Sequence, residues 1–113
     1  MKRLIERFPE LNLDAMLVSA LPNVRYLTGF TGSNALLAIT PDSPLLFTDP
    51  RYEIQAKGQV SCAVKIVRGR LTAAANAWIA RKRLKRIGFE KSRLLYADYA
   101  AIKEALPLGA SLI

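Results

Sequence analysis

The sequence predicts a single α/β domain built on a mixed β-sheet of about five to six strands, with helices on both faces. The composition is globular, with 51% hydrophobic and 23% charged residues. Short apolar runs alternate with helix-forming segments, and two of these runs are close enough for an antiparallel hairpin. At 113 residues the chain can bury roughly two thirds of its unfolded surface in one core.

The first elements are apolar segments bounded by turn residues. Residues 1–8 predict a short helix that ends at Pro9, because the residue before a proline disfavours helical backbone. Residues 14–19 form a continuous apolar run, typical of a central strand buried on both faces. A helical turn over 22–26 follows, and Gly29 is suited to end it.

The middle of the chain predicts the hairpin. Residues 34–40 and 44–48 are apolar runs separated only by the turn-forming sequence Pro41-Asp42-Ser43. A further strand is expected over 63–67, where apolar residues flank an exposed Lys65.

A helix is predicted directly after the hairpin. The Asp49 carboxylate can accept hydrogen bonds from unpaired first-turn amides, and Pro50 has no amide to lose at the first helical position. We expect this helix to run from Pro50 to Lys57 and to end at Gly58.

The remaining segments predict the longest helix over 71–86, a strand over 86–90 and a final helix from Tyr96 or Asp98 to about Leu106. The long helix has apolar residues on two sides, so we expect its first part to be contacted on both sides and its basic end to be solvated. One side holds Leu71, Ala74, Ala75, Trp78 and Ile79, and the other holds Ala73, Ala77, Ala80 and Leu84.

Two motifs in the first half match the layout of a known family. They are the segment 23–34, NVRYLTGFTGSN, and the segment 47–52, FTDPRY. Residues 87–90 and 96–99 also fall where that family has a strand and the start of its last helix. The sequence therefore resembles the amino-terminal domain of the creatinase/prolidase family, specifically bacterial Xaa-Pro aminopeptidases and dipeptidases. The resemblance implies a ribonuclease-H-like fold for one domain over 1–113.

The resemblance also implies a non-catalytic domain of a longer metallopeptidase. In that family, two-metal chemistry lies in a following catalytic domain whose ligands are two Asp, one His and two Glu, and this chain stops before it. The implied parent hydrolyses the bond before proline in Xaa-Pro peptides, using two manganese, cobalt or zinc ions, and is a homodimer or higher oligomer. For the fragment itself the resemblance implies no catalytic residue, no metal or cofactor and no activity, but a role in oligomer assembly and substrate access.

The candidate site is the loop Phe30, Thr31, Gly32, Ser33 and Asn34. Its small polar residues follow a tight turn and offer no apolar stripe to bury, which is typical of a surface connection. In the family this region lies near the mouth of the catalytic site, often that of a neighbouring subunit, and helps to cover the peptide. The loop therefore has two candidate roles. One is an ordinary surface connection, and the other, which the resemblance implies, is control of substrate access.

A second candidate group is Asp49, Arg51 and Tyr52. These residues can lock the first helical turn against the sheet, with Arg51 pairing to a nearby carboxylate or carbonyl. Alternatively, they face the active site of a partner subunit.

Several other chemistries are excluded or weakened. The chain has no histidine, which excludes Ser-His-Asp and Cys-His catalysis and the usual His-containing metal sites. Asp14, Asp49 and Glu90 could converge on magnesium, as in ribonuclease-H-like nucleases. Each also has an ordinary role. Asp14 is a loop residue that leads into a strand, Asp49 is a helix cap, and Glu90 is a partner for Arg or Lys at the end of a strand. Cys62 is the only cysteine, so it predicts a small strand residue and no intramolecular disulfide.

No apolar run has the roughly 18 residues of a membrane helix, and residues 1–8 have no uninterrupted apolar core behind their basic residues, as a secretory signal would. We therefore expect a cytoplasmic protein without a membrane partner.

The net charge of +8 is local. Residues 1–64 contain six basic and six acidic residues, whereas residues 65–93 contain ten basic residues and Glu90 alone. The densest part, 81–86, fits the end of a helix, where the macrodipole favours cations. An acidic intersubunit or interdomain surface is one alternative. Another is a stand-alone basic module that binds nucleic acid. One continuous exposed face of basic residues would favour this alternative, whereas basic residues dispersed over the fold would not.

Overall fold

The computed structural model describes residues 1–113 as one mixed sheet flanked by helices. The strands are β1 (Ala15–Val18), β2 (Ala35–Ile39), β3 (Pro44–Thr48), β4 (Ala63–Ile66), β5 (Arg86–Phe89) and β6 (Ser111–Leu112). The helices are α1 (Lys2–Glu6), α2 (Phe8–Leu11), α3 (Leu21–Thr28), α4 (Glu53–Gln59), α5 (Leu71–Lys82) and α6 (Tyr96–Glu104), and a 3-10 turn covers Pro50–Tyr52. The six-stranded sheet has the order β4-β3-β2-β1-β5-β6. The predicted fold class is confirmed.

Strand β2 alone runs against the direction of the others. It pairs antiparallel with β1 on one side and with β3 on the other, whereas β1 with β5, β3 with β4, and β5 with β6 are parallel pairs. The carboxyl ends of the five parallel strands and the start of β2 therefore share one edge of the sheet, called here the carboxyl edge.

The predicted hairpin is present. Ala35 faces Thr48 at one end of the β2–β3 pair, and Ile39 faces Pro44 at the other. The turn is closed by Thr40 and Ser43, because the Thr40 amide donates to the Ser43 carbonyl over 3.2 Å and the Ser43 amide donates to the Thr40 hydroxyl over 3.3 Å.

The alternating residues of the strands divide the core between two faces of the sheet. One face packs against α5 and α6 and contains Ala15, Leu17, Leu36, Ala38, Phe47, Ala75, Trp78, Ile79, Ile87 and Ile102. The other is covered by α1 to α4 and contains Phe8, Val18, Val24, Phe30, Ala35, Leu37, Ile39, Leu46 and Ala56. Helices thus cover both faces, as predicted, because every residue of β2 is buried and its two sides both need an apolar cover.

Four expectations about helix boundaries and burial were wrong. Pro9 does not end a helix but lies in the first turn of α2, where its missing amide costs no hydrogen bond. Gly58 lies inside α4, which ends one residue later. Helix α5 ends at Lys82, because Arg83 adopts left-handed backbone with φ 55°. Its second apolar side is exposed rather than contacted, at Ala73, Ala77 and Ala80.

Strand β6 was not predicted, because two residues carry no periodic signal. Its pairing comes from the neighbouring strand: the Ser111 amide donates to the Lys85 carbonyl over 2.7 Å, and the Ile113 amide donates to the Ile87 carbonyl over 2.9 Å. None of the helices in the structure combines the length and apolar character needed to cross a bilayer.

Asn76 is the one buried side chain with an unsatisfied polar atom, its Oδ1. It lies on α5 between the core residues Ala75 and Trp78. We expect Asn76→Leu to raise the free energy of unfolding by about 1 kcal/mol, because it removes a buried acceptor without a partner and improves helix propensity. Urea unfolding checks this. Asn76→Asp is the matched variant and should destabilise, because it buries a charge at the same place; a less stable Asn76→Leu protein would contradict the prediction.

Candidate functional site

The two sequence motifs meet at the carboxyl edge of the sheet. The loop 30–34, called here the access loop, leads from α3 into β2, and the segment 49–52 follows β3. Because Ala35 pairs with Thr48, the residues just before β2 and just after β3 must be neighbours. The hydroxyl of Thr48 fixes this junction by donating to the Asn34 carbonyl over 2.6 Å.

Phe30 anchors the access loop in the core. Its side chain is 1% exposed and packs edge-on against Tyr52, with ring centroids 5.7 Å apart and an interplanar angle of 89°. The expectation that this loop has no apolar residue to bury was therefore wrong for Phe30. A single aromatic residue does not make a periodic pattern, so its burial in the core could not be predicted from the sequence.

Gly32 is required by the same packing. A Cβ atom at this position would lie 2.3 Å from Cζ of Phe30 and 3.0 Å from Cδ1 of Tyr52. The glycine thus lets the backbone of the loop cross directly over the two rings. Gly29, which ends α3 with φ 85°, supplies the left-handed turn that leads into the loop, as predicted.

Asp49 joins the two motifs through its carboxylate. It accepts from the Arg51 amide over 2.9 Å, from the Arg51 guanidinium over 3.0 and 2.8 Å, and from Nδ2 of Asn34 over 2.7 Å. The helix-cap role and the pairing of Arg51 with a carboxylate are both as predicted. The hydrogen bonds from the Arg51 side chain, followed by the one from Asn34, hold the pKa of Asp49 well below its ordinary value of 3.8 and raise the pKa of Arg51.

Tyr52 has one apolar and one polar contact. Its ring packs on Phe30 and lies 5.1 Å below the Arg51 guanidinium, a cation–π arrangement. Its hydroxyl shares a hydrogen bond with the Ser33 hydroxyl, which lowers the pKa of Tyr52.

Two glutamines of α4, which the sequence did not predict as site residues, complete the site. The Gln59 side chain accepts from the Thr31 amide over 3.0 Å and donates to the Thr31 hydroxyl over 2.9 Å, and Gln55 donates to the same hydroxyl over 3.0 Å. Gln55 and Gln59 are four residues apart, so they share one face of the helix. The four-residue spacing is visible in the sequence, but the sequence does not show that the two side chains contact Thr31 of the access loop.

The contacts of the site fix the shape of the surface at the carboxyl edge. Thr31, Ser33 and Arg51 are exposed at the carboxyl edge, while Phe30, Gly32 and Asp49 hold the backbone behind them. No three His, Cys, Asp or Glu side chains lie together in a way that could hold a metal ion. The arrangement can present hydroxyl, amide and guanidinium donors to another molecule from a rigid frame.

The three carboxylates considered for magnesium do not converge. Asp14 lies at the start of β1 and accepts from the amides of Lys85 and Arg86 over 2.9 and 3.0 Å, which lowers its pKa. Glu90 and Asp49 follow β5 and β3, at the opposite edge. Each carboxylate is therefore occupied by protein donors, and the nuclease hypothesis is not supported.

Glu90 was expected to pair with Arg or Lys, and this was wrong. Its carboxylate accepts from the amides of Ser19 and Ala20 over 2.7 and 2.8 Å and from the Asn23 side chain over 2.5 Å. These groups lie at the start of α3, where free amides and the helix dipole favour an anion. The hydrogen bonds connect residues about seventy positions apart in the chain, which no local pattern could predict.

The basic residues of 65–93 are dispersed over the fold. Arg68, Arg70, Lys91 and Arg93 follow the carboxyl ends of β4 and β5. At the opposite edge, Arg81, Lys82, Arg83 and Lys85 precede β5, and Arg86 is its first residue. The three ion pairs in the structure include none of them. This distribution is the one that disfavours a stand-alone nucleic-acid module.

The chain matches, over residues 1–112, the family described as the Creatinase/Prolidase N-terminal domain. It belongs to this family. The resemblance seen in the sequence is thus confirmed, and the fold agrees with it: the N-terminal domain of the cytoplasmic peptidase PepQ from Mycobacterium tuberculosis superposes with a TM-score of 0.90 at 33% identity, over 98% of this chain and 88% of that one.

Two relatives are much longer than this chain. The chain is 38% identical over 103 residues to a Bacillus subtilis protein called uncharacterized peptidase YqhT, covering 89% of this chain and 29% of that protein. It also resembles an Xaa-Pro dipeptidase from Bacillus anthracis, with a TM-score of 0.91 and 28% identity over 99% of this chain and 31% of that one. The chain therefore spans less than a third of the length of these two relatives.

Phe30 and Thr31 should differ sharply in their effect on stability. Phe30→Ala should cost about 3–5 kcal/mol, because it empties a core position and removes the partner of Tyr52. Thr31→Ala should cost about 1 kcal/mol or less, since it removes only exposed hydrogen bonds. Denaturant unfolding of both variants compares them, and similar losses would show that the polar contacts of the loop, not its aromatic anchor, hold it in place.

Asp49 should make stability depend on pH. Because its pKa is lowered in the folded chain, its contribution is complete above about pH 5 and is lost as the pH falls below 3.8 towards the lower folded value. Asp49→Asn should therefore lower the melting temperature at neutral pH, and the difference from the original protein should shrink between about pH 4 and 2. Circular dichroism melts check this, with exposed Asp42→Asn as the control; a pH-independent difference would refute the prediction.

Proposed function

We propose that this chain is the non-catalytic N-terminal domain of a cytoplasmic Xaa-Pro aminopeptidase or dipeptidase, where it shapes access of the peptide to the catalytic site and takes part in oligomer assembly. The observation that carries the proposal is the rigid access loop, whose exposed residues are held in place by a buried anchor and a polar frame. The family membership and the names of the longer relatives support the choice of peptidase.

The geometry suits a role in positioning rather than in bond cleavage. An access loop excludes water and orients a peptide only if it keeps its shape, since misplacement by even about 1 Å reduces the rate severely. Phe30 and Gly32 provide that rigidity, and Asp49 ties the loop to the turn after β3. The exposed hydroxyls of Thr31 and Ser33 and the guanidinium of Arg51 are available to contact a bound peptide or a neighbouring subunit.

The hydrolytic chemistry belongs, in this proposal, to a catalytic domain that carries two divalent metal ions, either manganese, cobalt or zinc. Residues of this chain hold neither ion, because its candidate carboxylates are separated and hydrogen-bonded to other protein groups. The partners proposed for this domain are its own C-terminal catalytic domain and a second copy of the full-length protein.

We expect the double substitution of Thr31 and Ser33 by Ala to lower kcat/KM of the full-length enzyme for an Xaa-Pro peptide by roughly tenfold, because it removes contacts that position the substrate. Ser43→Ala is the matched control, since Ser43 is an exposed serine in the hairpin turn at the opposite edge. Steady-state kinetics with added manganese or cobalt measure the effect, and light scattering reports the oligomeric state of the same samples.

The same assay on the 113-residue chain by itself should show no turnover. Hydrolysis by this chain would overturn the non-catalytic assignment. Unchanged kinetics of the double variant, in an active full-length enzyme, would overturn the access role and leave the family assignment intact.

A further inference from the structure

A cavity of about 530 Å³ opens at the carboxyl edge, beside the access loop. It is bounded by the starts of α3, β2, α5 and α6, and its size lies in the range of small-molecule sites, roughly 300–1,000 Å³. Crevices outside the carboxyl ends of parallel strands are also where open α/β sheets usually bind ligands. The access loop contributes Ser33 and Asn34 to one side of the cavity, and α5 and α6 form the other side, which has no part in the proposed access role.

The cavity contains one cation and one anion without partners. Arg70 precedes α5 and Asp98 lies in the first turn of α6, and both line the cavity. Neither takes part in any of the three ion pairs or in a side-chain hydrogen bond. A ligand with an anionic and a cationic group could therefore satisfy both without displacing an existing contact.

Both α3 and α5 begin at this cavity, and they differ in the groups that precede them. Just before α3, the Glu90 carboxylate accepts from the amides of Ser19 and Ala20, although no side chain caps the first turn of that helix. At α5, which also begins at this cavity, no side chain caps the first turn. The amides of Leu71 and Thr72 thus remain available, next to the Arg70 guanidinium, for a carboxylate supplied from outside.

The wall between these charged groups is apolar. Leu36 and Ile102 are buried at its base, and Leu71, Leu94 and Ala97 line its sides. Such a wall favours an aliphatic side chain, because burying apolar surface is stabilising.

We infer that this cavity binds a small zwitterion with an aliphatic side chain, either a free amino acid or a dipeptide. The ligand carboxylate lies at the start of α5 beside Arg70. The ligand ammonium pairs with Asp98, and the side chain lies against Leu71 and Leu94. The inference does not rest on the proposed peptidase function.

The test is a titration of the ¹⁵N-labelled 113-residue chain, followed by amide chemical shifts. The probes are leucine, leucyl-leucine, N-acetyl-leucyl-leucine, which lacks the ammonium, and leucyl-leucinamide, which lacks the carboxylate. We expect saturable shifts for the amides of residues 69–72 and 94–98. Each blocked dipeptide should bind roughly tenfold more weakly than leucyl-leucine, since one charge-assisted hydrogen bond contributes about that factor. Comparison of leucine with leucyl-leucine shows which source of the zwitterion the cavity prefers.

Two variants test which charged group of the ligand is bound by Arg70 and which by Asp98. Arg70→Ala should weaken leucyl-leucine roughly tenfold but leave leucyl-leucinamide nearly unchanged, and Asp98→Asn should do the same for leucyl-leucine and the N-acetylated peptide. The matched controls are Arg68→Ala and Glu104→Gln, which remove exposed charges outside the cavity. Preserved amide dispersion shows that each variant is folded.

Three results would overturn the inference. The first is the absence of saturation by about 10 mM for every probe, tenfold above a dissociation constant of 1 mM. The second is saturable binding with shifts confined to other parts of the domain. The third is equal affinity of the charged and blocked dipeptides, or retention of charge selectivity in both variants.

Discussion

The burial of strand β2 on both faces and both edges is the constraint on which the rest of the structure depends. Its five residues are all buried, so its amides and carbonyls must find partners within the sheet. Strands β1 and β3 provide them, and the two apolar faces then require helices on each side. Because β2 is antiparallel, its start lies beside the ends of the parallel strands, which brings the access loop and the turn after β3 together.

Around this frame, apolar and polar contacts have different tasks. Phe30 contributes the burial that holds the access loop to the core, whereas the hydrogen bonds of Thr31, Ser33 and Asn34 select one conformation of the loop backbone. Exposed polar contacts contribute little net free energy, since water can replace them. They do make the loop a defined surface, and a defined surface is what a role in positioning a peptide would require.

Three carboxylates in this domain accept hydrogen bonds from backbone amides that have no other partner in a helix or strand. Asp49 caps the turn after β3, Glu90 accepts from the two amides just before α3, and Asp14 accepts from two amides at the start of β5. Each carboxylate links segments that are separated in the sequence. It is therefore occupied by protein donors and is not free to bind a metal ion. At the cavity beside α5, no protein carboxylate caps the first turn, and Arg70 stands there without an ion-pair partner.

The sequence by itself determined the fold class, the central strand, the hairpin and the cap at Asp49, because these depend on local apolar runs, turn residues and short-range hydrogen bonds. Its motifs were also enough to identify the family. The tertiary structure alone decided the burial of Phe30, the contacts of Gln55 and Gln59, and the role of Glu90. It likewise decided the pairing of β6 and the exposure of the second side of α5. Each of these depends on which distant segments meet in space, and that is set by the pairing of whole strands rather than by any pattern along the chain.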